Sequence, residues 1–451
     1  MTRIGSTSFP AASRSSGGGR RRRFTYRLGP VLVSVLLAAG LGCQEDAEPP
    51  TASAPEPALT VTPAHTLRFR QVTAGDNHTC GLATNHLAYC WGNSSTTPVR
   101  VPGGLAFRQV SAEGGTCGVT SADVAYCWGR NHVGQLGDGT FTDSPRPVRV
   151  AGGLAFRQVS VGSLHTCGVT TSNAAYCWGH NQAGPLGDGT TNWSQRPVRV
   201  ARRLAFREVS AGNQFTCGVT TEDVAYCWGL NSSGQLGTGS DTGPETCFTG
   251  DGFPSCSTRP VRVVRGLTFD HVDAGNDHAC GVTTDAVTYC WGGNQAGQLG
   301  VRTSTGPEPC SDVVPCSTRP VRVAGGHAFR QVSAGEYRTC GVTTGDVAYC
   351  WGLNFSGELG IGTSRGPEIC SFYDAPCSLR PMRVVGGLAF REVSPEGAFH
   401  ICGVTTARLG YCWGSNFDGQ LGDGTTRDRL RPSRVAGVTE FGRHGSAQDD
   451  E

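Results

Sequence analysis

A chain of 451 residues with a formal charge of +2 and 16% charged residues has no broad basic field, which excludes non-specific attraction to nucleic acid or anionic membranes as its working principle. Glycine supplies 66 residues and methionine two, a profile of short strands joined by tight turns rather than of long amphipathic helices. Twenty-one cysteines exclude a reducing compartment unless they bind metal.

In chain order, residues 1–43 read as an export signal. Arg20, Arg21, Arg22 and Arg23 form its basic region, Leu28 to Leu41 an apolar run too short for a comfortable transmembrane helix, and small residues lead into Cys43. Ala39, Gly40, Leu41, Gly42 and Cys43 resemble a bacterial lipoprotein processing site with Cys43 as the lipidated residue, although the leucine stands two places before the cysteine instead of three. The expectation is an exported chain in the cell envelope, periplasmic or cell-surface and lipid-anchored, or else secreted. Residues 44–66, rich in Pro, Ala, Thr and Glu, read as a flexible tether. Residues 442–451 read as a disordered tail.

Between them, over 67–441, one pattern recurs seven times, marked by Cys-Trp-Gly at Trp91, Trp128, Trp178, Trp228, Trp291, Trp351 and Trp413. Unit three shows its parts: Phe156 to Gly162, His165 to Thr170, Ala174 to Gly179 and Arg196 to Val200, each a short strand-like run bounded by Gly, Asn, Ser or Pro. Four strands per unit with no helical period predict an all-β, seven-bladed β-propeller of four-stranded antiparallel blades. Ser-Ala-Gly suits the crowded axis and Arg-Pro-Val-Arg-Val the open rim, since proline and arginine discourage edge pairing. Strand one is therefore expected inside and strand four outside, with Arg149, Arg199, Arg262, Arg322, Arg383 and Arg434 protecting the edge. Unit one is clipped after Trp91, and its blade is expected either to be complete or to be closed by Leu59 to Val61 or Val438 to Phe441.

The cysteines sort by position. Seven pairs have nine residues between them: Cys80 and Cys90, Cys117 and Cys127, Cys167 and Cys177, Cys217 and Cys227, Cys280 and Cys290, Cys340 and Cys350, Cys402 and Cys412. Three more lie in inserted loops, Cys247 with Cys256, Cys310 with Cys316 and Cys370 with Cys377, which leaves Cys43 over. Structural zinc sites place cysteines closer together, so ten disulfides are expected and no metal.

The run Ala-Gly-x-x-His, Cys, Tyr-Cys-Trp-Gly-x-Asn-x-x-Gly-Gln-Leu-Gly and Pro-Val-x-Val resembles the regulator of chromosome condensation repeat family, in a bacterial, exported, cysteine-bearing form. The resemblance implies the same seven-bladed propeller. It departs in unit one, which lacks Gly-Gln-Leu-Gly, and in unit three, where Pro185 replaces the glutamine. The family includes an intracellular exchange factor for a small GTPase, a role at odds with an export signal, and a secreted propeller that inhibits β-lactamases through its loop face.

No catalytic signature is present: no nucleophile elbow, His-Glu-x-x-His, phosphate loop or EF-hand. Asp138, Asp188 and Asp423 precede glycine in a repeated turn and are read as structural, as are His78, His165, His278 and His400 at one repeat position. The loops between strands one and two differ most among units, and those between strands three and four carry the inserts. Both emerge on one face. A constant scaffold under variable, stapled loops is a common design of binding surfaces.

The face is assigned to Asn213, Gln214, Phe215, Asn276, Asp277, His278, Glu336, Tyr337, Arg338, Phe372, Tyr373 and Phe399, with the aromatics and Arg338 as anchors. The expected function is an extracytoplasmic scaffold, monomeric and without cofactor, that engages a protein or surface polymer. Membrane contact would come through the lipid alone, and no nucleic acid is expected. Inhibition of a secreted hydrolase is one special case, a carbohydrate-binding surface the alternative. An enzyme would need carboxylates facing across the axis, for which Glu336 and Asp277 are the available pair.

Overall fold

In Phe69-Arg-Gln-Val-Thr-Ala the alternation of large apolar and polar side chains suits a strand with one face in a core, and Phe69–Ala74 forms one. It is followed by His78–Ala83, Ala88–Gly92 and Ser95–Arg100, hydrogen-bonded in sequence order into a four-stranded antiparallel sheet. Six further sheets repeat the plan, giving an all-β propeller of seven blades. The computed structural model describes residues 66–437 apart from 202, 203, 248–251, 253, 265, 311–313, 373 and 398. In blades four, five and six the inserted loop adds a short fifth strand outside the fourth, at Glu245–Thr246, Glu308–Cys310 and Glu368–Cys370.

The inner strand is strand one. Its axis-facing edge has no strand partner, and polar side chains of the neighbouring blade's inner strand supply one. Gln158 of blade three accepts from Val209 N at 3.1 Å and donates to Val209 O at 2.8 Å, while Ser160 Oγ accepts from Ala211 N at 2.9 Å. Gln109 and Ser111 grip Val159 and Val161 in the same way. The repeated Gln-Val-Ser thus satisfies backbone groups that an open sheet edge would leave bare.

Between blades lies a dry core. Leu136, Val150 and the Cys117–Cys127 disulfide of blade two pack on Phe156, Val159 and Trp178 of blade three. Trp178 Nε1 donates to Gln135 O at 2.9 Å, and the equivalent bond recurs from Trp228 to Pro185 O at 2.8 Å and from Trp91 to Gln420 O at 2.9 Å. Because the acceptor is a backbone carbonyl, proline at 185 costs the junction nothing. Gly137, at φ +68°, has no room for a side chain: a Cβ there would sit 2.6 Å from Trp178 Nε1.

Among the described residues blade one is built from its own four strands; Leu59 to Val61 and Val438 to Phe441, the segments expected as alternatives to close it, lie outside the described residues. Blade seven closes on blade one through Phe69 N to Arg408 O at 2.8 Å and Ala74 N to Ser394 Oγ at 2.8 Å. The ten expected disulfides form, the blade pairs joining cysteines directly opposite on strands two and three. They indicate an oxidising environment. Cys43 lies outside the described residues. No described helix is long and apolar enough to cross a membrane.

Candidate binding face

The turn after each inner strand places one side chain at the mouth of the axis. Asp76, Glu113, Ser163, Asn213, Asn276, Glu336 and Glu396, one per blade, surround a cavity of about 130 Å³. The ring is knitted together: Ser163 Oγ donates to Glu113 Oε1 at 2.7 Å, Asn213 Nδ2 to Asn276 Oδ1 at 2.5 Å, and Thr73 Oγ1 to Glu396 Oε2 at 3.0 Å. Burial raises Glu113 well above the usual carboxylate range, and the neighbouring acids Asp76, Glu396 and Asp273 push the same way. Glu396 is raised by burial and by Asp273, and Glu336 by burial against the lowering effect of Arg338. A cationic group entering this mouth would relieve that repulsion.

Below the mouth, a channel of about 190 Å³ runs between the inner strands. Where most blades place glutamine, blade five places His271, whose Nδ1 lies 3.2 Å from Glu208 Oε2 and whose Nε2 donates to Val332 O at 3.1 Å. Burial alone would lower His271, but the Glu208 carboxylate and Asp273 outweigh it and raise the imidazole to about 9.

The expected face residues divide. Asn213, Asn276 and Glu336 reach the mouth. Gln214 and Tyr337 are half-buried, and Tyr337 stacks on Phe372 of the insert with ring centroids 4.3 Å apart. Phe399 is exposed. Tyr373 lies outside the described residues.

Phe215, His278 and Arg338 correct the expectation, for all three are completely buried and none can act as a surface anchor. Their position begins strand two and points at the next blade. His165 Nε2 bonds Thr216 Oγ1 at 2.8 Å, His278 bonds Thr339 at 2.9 Å, and His400 bonds Thr79 at 2.7 Å. Each of those three threonines in turn donates to the carbonyl that accepts from the tryptophan, so the histidine is the donor of the first bond. Burial lowers His165 and His400 to about 3, keeping both neutral. In blade six Arg338 replaces the histidine, reaches Gly397 O at 3.0 Å and is accompanied by Glu358 in place of glutamine.

Asp277 and Glu336 do not form a catalytic pair across the axis. They belong to neighbouring blades, and Asp277 Oδ1 is held by Gln298 Nε2 at 3.2 Å. Asp138 and Asp188 accept from the hydroxyl and amide of the threonine two residues on, as turn residues do.

The sequence reading missed the most exposed aromatics of this face, Phe355 at 65% and Phe417 at 60% exposure. Each follows the asparagine after Trp-Gly, where the other full-length units have His132, Gln182, Ser232 and Gln295. That contrast among units was the available signal.

Residues 125–447 match the RCC1-like domain, and residues 69–96 the regulator of chromosome condensation repeat. The chain belongs to the RCC1-like family. Among curated relatives it is similar to the ultraviolet-B receptor UVR8 of Arabidopsis thaliana, 28% identical over 40% of this chain and 37% of the receptor. It is also similar to the probable E3 ubiquitin-protein ligase HERC6 of Homo sapiens, 26% identical over 36% of this chain and 14% of the ligase. The stretches matched span well under two thirds of these relatives' lengths. Among solved structures, human WBSCR16 superposes with a TM-score of 0.61 at 20% identity, covering 76% of this chain and 84% of that one. Yeast RCC1 (Prp20) bound to Kap60 gives 0.59 at 19% identity, covering 73% and 78%. At those identities the likeness speaks for the fold.

Proposed function

We propose that this RCC1-like propeller is a binding scaffold, exported and tethered by a lipid at Cys43, that engages a protein through the face bearing the axial mouth and the insert loops. One observation carries the reading: four of the seven side chains around the mouth, Asp76, Glu113, Glu336 and Glu396, are acids of raised proton affinity, on a face whose loops also carry exposed Phe355, Phe417 and Phe399 and the Tyr337–Phe372 stack. A partner that presents a lysine or arginine to the mouth and apolar side chains to the rim complements both. Support comes also from the solved yeast relative, which is bound to a protein, Kap60. Inhibition of a secreted hydrolase is one form such engagement takes: a stiff face covers the enzyme's cleft and the mouth accepts a basic side chain.

The test is affinity capture from envelope and medium of the producing cell, comparing wild type with Phe355→Asp, Phe417→Asp and Glu336→Gln. A discrete protein captured by wild type and lost with these surface variants supports the scaffold; equal capture by all of them overturns it. A lipid-labelling experiment with Cys43→Ser tests the anchor separately.

A further inference from the structure

Six junctions of the ring are sealed alike and one is open. After Trp91, blade one turns in two residues, Asn93 and Ser94, where blade two has a loop from Arg130 to Asp143. The missing loop is the one that elsewhere carries the buried leucine and the carbonyl before it. Between blades one and two there is instead a cavity of about 440 Å³, lined among others by Cys90, Val99, Gly115, Thr116, Trp128 and Arg130.

Four observations show what is absent there. Among the described residues Trp128 Nε1 has no hydrogen-bond partner, whereas the other six repeat tryptophans donate to a carbonyl of the preceding blade at 2.8–3.0 Å. Thr116 Oγ1 is hydrogen-bonded to His78 Nε2 at 2.9 Å, but the turn carbonyl to which Thr79, Thr166, Thr216 and Thr339 donate has no counterpart in blade one. The core cluster of this junction holds Leu82 and Leu105 but no leucine from a Gly-x-Leu-Gly turn, although Leu136, Leu186, Leu236, Leu299, Leu359 and Leu421 from such turns fill the others. Val99 is 56% exposed, while Val148, Val198 and Val321 at the same place are packed.

We infer that this notch is a docking site for a tight turn of a partner protein, which inserts a leucine-sized aliphatic side chain against Cys90 and Trp128 and a backbone carbonyl that accepts from Trp128 Nε1 and Thr116 Oγ1. The six sealed junctions display the bound geometry, because their own Gly-x-Leu-Gly turns are such ligands in cis. A second copy of this chain is a poor donor, since each of its turns is buried with its leucine at most 1% exposed. The inference deepens the binding-scaffold reading by naming a second contact on the same face, between blades one and two, in a cavity that shares Asp76 and Glu113 with the mouth and extends outward to Val99.

The probe is a disulfide-cyclised peptide copying Gly134-Gln-Leu-Gly-Asp-Gly139, added to the full chain carrying ¹⁵N-labelled tryptophan. The Trp128 indole N–H resonance is expected to shift while those of the six sealed tryptophans stay still, and a peptide with aspartate for leucine is expected to do nothing. Trp128→Phe, which deletes one donor, should weaken binding roughly three- to tenfold. Val99→Asp at the exposed rim, which leaves the core intact, should abolish binding. A Trp128 resonance that does not move at millimolar peptide overturns the inference. So does an indole N–H protected from exchange in the free full chain, because a terminal segment of the chain itself would then occupy the notch. Grafting residues 130–143 in place of Asn93 and Ser94 separates the two proposals: loss of the captured partner supports notch docking, and retention that still depends on Phe355 sinks the notch while leaving the axial face standing.

Discussion

The His271–Glu208 pair in the channel makes stability depend on pH in a direction that can be worked out. His271 titrates near 9 in the fold against 6.5 for an ordinary histidine, so the folded protein holds its proton more tightly than the unfolded chain. Such a group contributes in full below about pH 6.5, and the contribution is lost as pH rises through about 9. The shift corresponds to roughly 3 kcal/mol before screening. The imidazole is 32% exposed to the channel, which reduces the figure to about 1.5 kcal/mol. His271→Gln is the informative variant, since Gln71, Gln109, Gln158 and Gln331 stand at this place in other blades and clamp the next strand without a charge. With disulfides intact, the melting temperatures of wild type and variant are compared from pH 6 to 9. Wild type should lose about 2 °C relative to the variant across that window, given a domain of this size. Glu392, raised to about 7 by burial, destabilises both proteins alike at high pH and drops out of the comparison. A difference that stays flat with pH, or grows in favour of wild type as pH rises, refutes the reasoning.

Further outcomes follow from the junctions and the mouth. Gln158→Ala removes both bonds to Val209 and is expected to cost about 1–2 kcal/mol in urea denaturation, less than for a dry site because channel water reaches the freed groups. Leu186→Ala, at a sealed junction, should cost about 2–5 kcal/mol, whereas Val99→Ala at the open one should stay within about 0.5 kcal/mol. Burial and neighbouring acids raise Glu113, Glu336 and Glu396, so a lysine-rich partner should bind more tightly at pH 8 than at pH 6, measured by calorimetry, with Glu336→Gln flattening the dependence.

The architecture was legible because every blade writes the same text: the cysteine spacing, the tryptophan and the strand-bounding glycines repeat often enough to outweigh any single departure. The work of the repeated Gln-Val-Ser was not legible, because its partners stand a whole blade away, as Gln109 does from Val159. Phe215 and Arg338 were misread for a related reason. Their position varies, and variation resembled a tolerant surface, yet it varies because each side chain must fit a different neighbour. Arg338 meets Gly397 O of blade seven, which has Ile401 where five blades have threonine, and its own unit changes glutamine to Glu358. Two departures in one unit, of opposite charge, were the sign that they answer each other inside the fold.

A ring of equal junctions also gives a physical reason to look where one differs. Each sealed junction satisfies an indole N–H with a backbone carbonyl, four of the six add a threonine hydroxyl on the same carbonyl, and all six fill the space beneath with a turn leucine, none of which is present between blades one and two. In a dry interior the groups left without that carbonyl would be costly, on the order of 1–3 kcal/mol for an unmet indole donor. Here the cavity opens to solvent and Trp128 is 7% exposed, so water can meet them and the open junction is tolerated. Tolerance of that kind is what a binding site requires. Water that hydrogen-bonds imperfectly over apolar Val99 and Trp128 is displaced with gain by a group carrying both a carbonyl and an aliphatic side chain, while the six rigid junctions around the ring hold the donors already aimed.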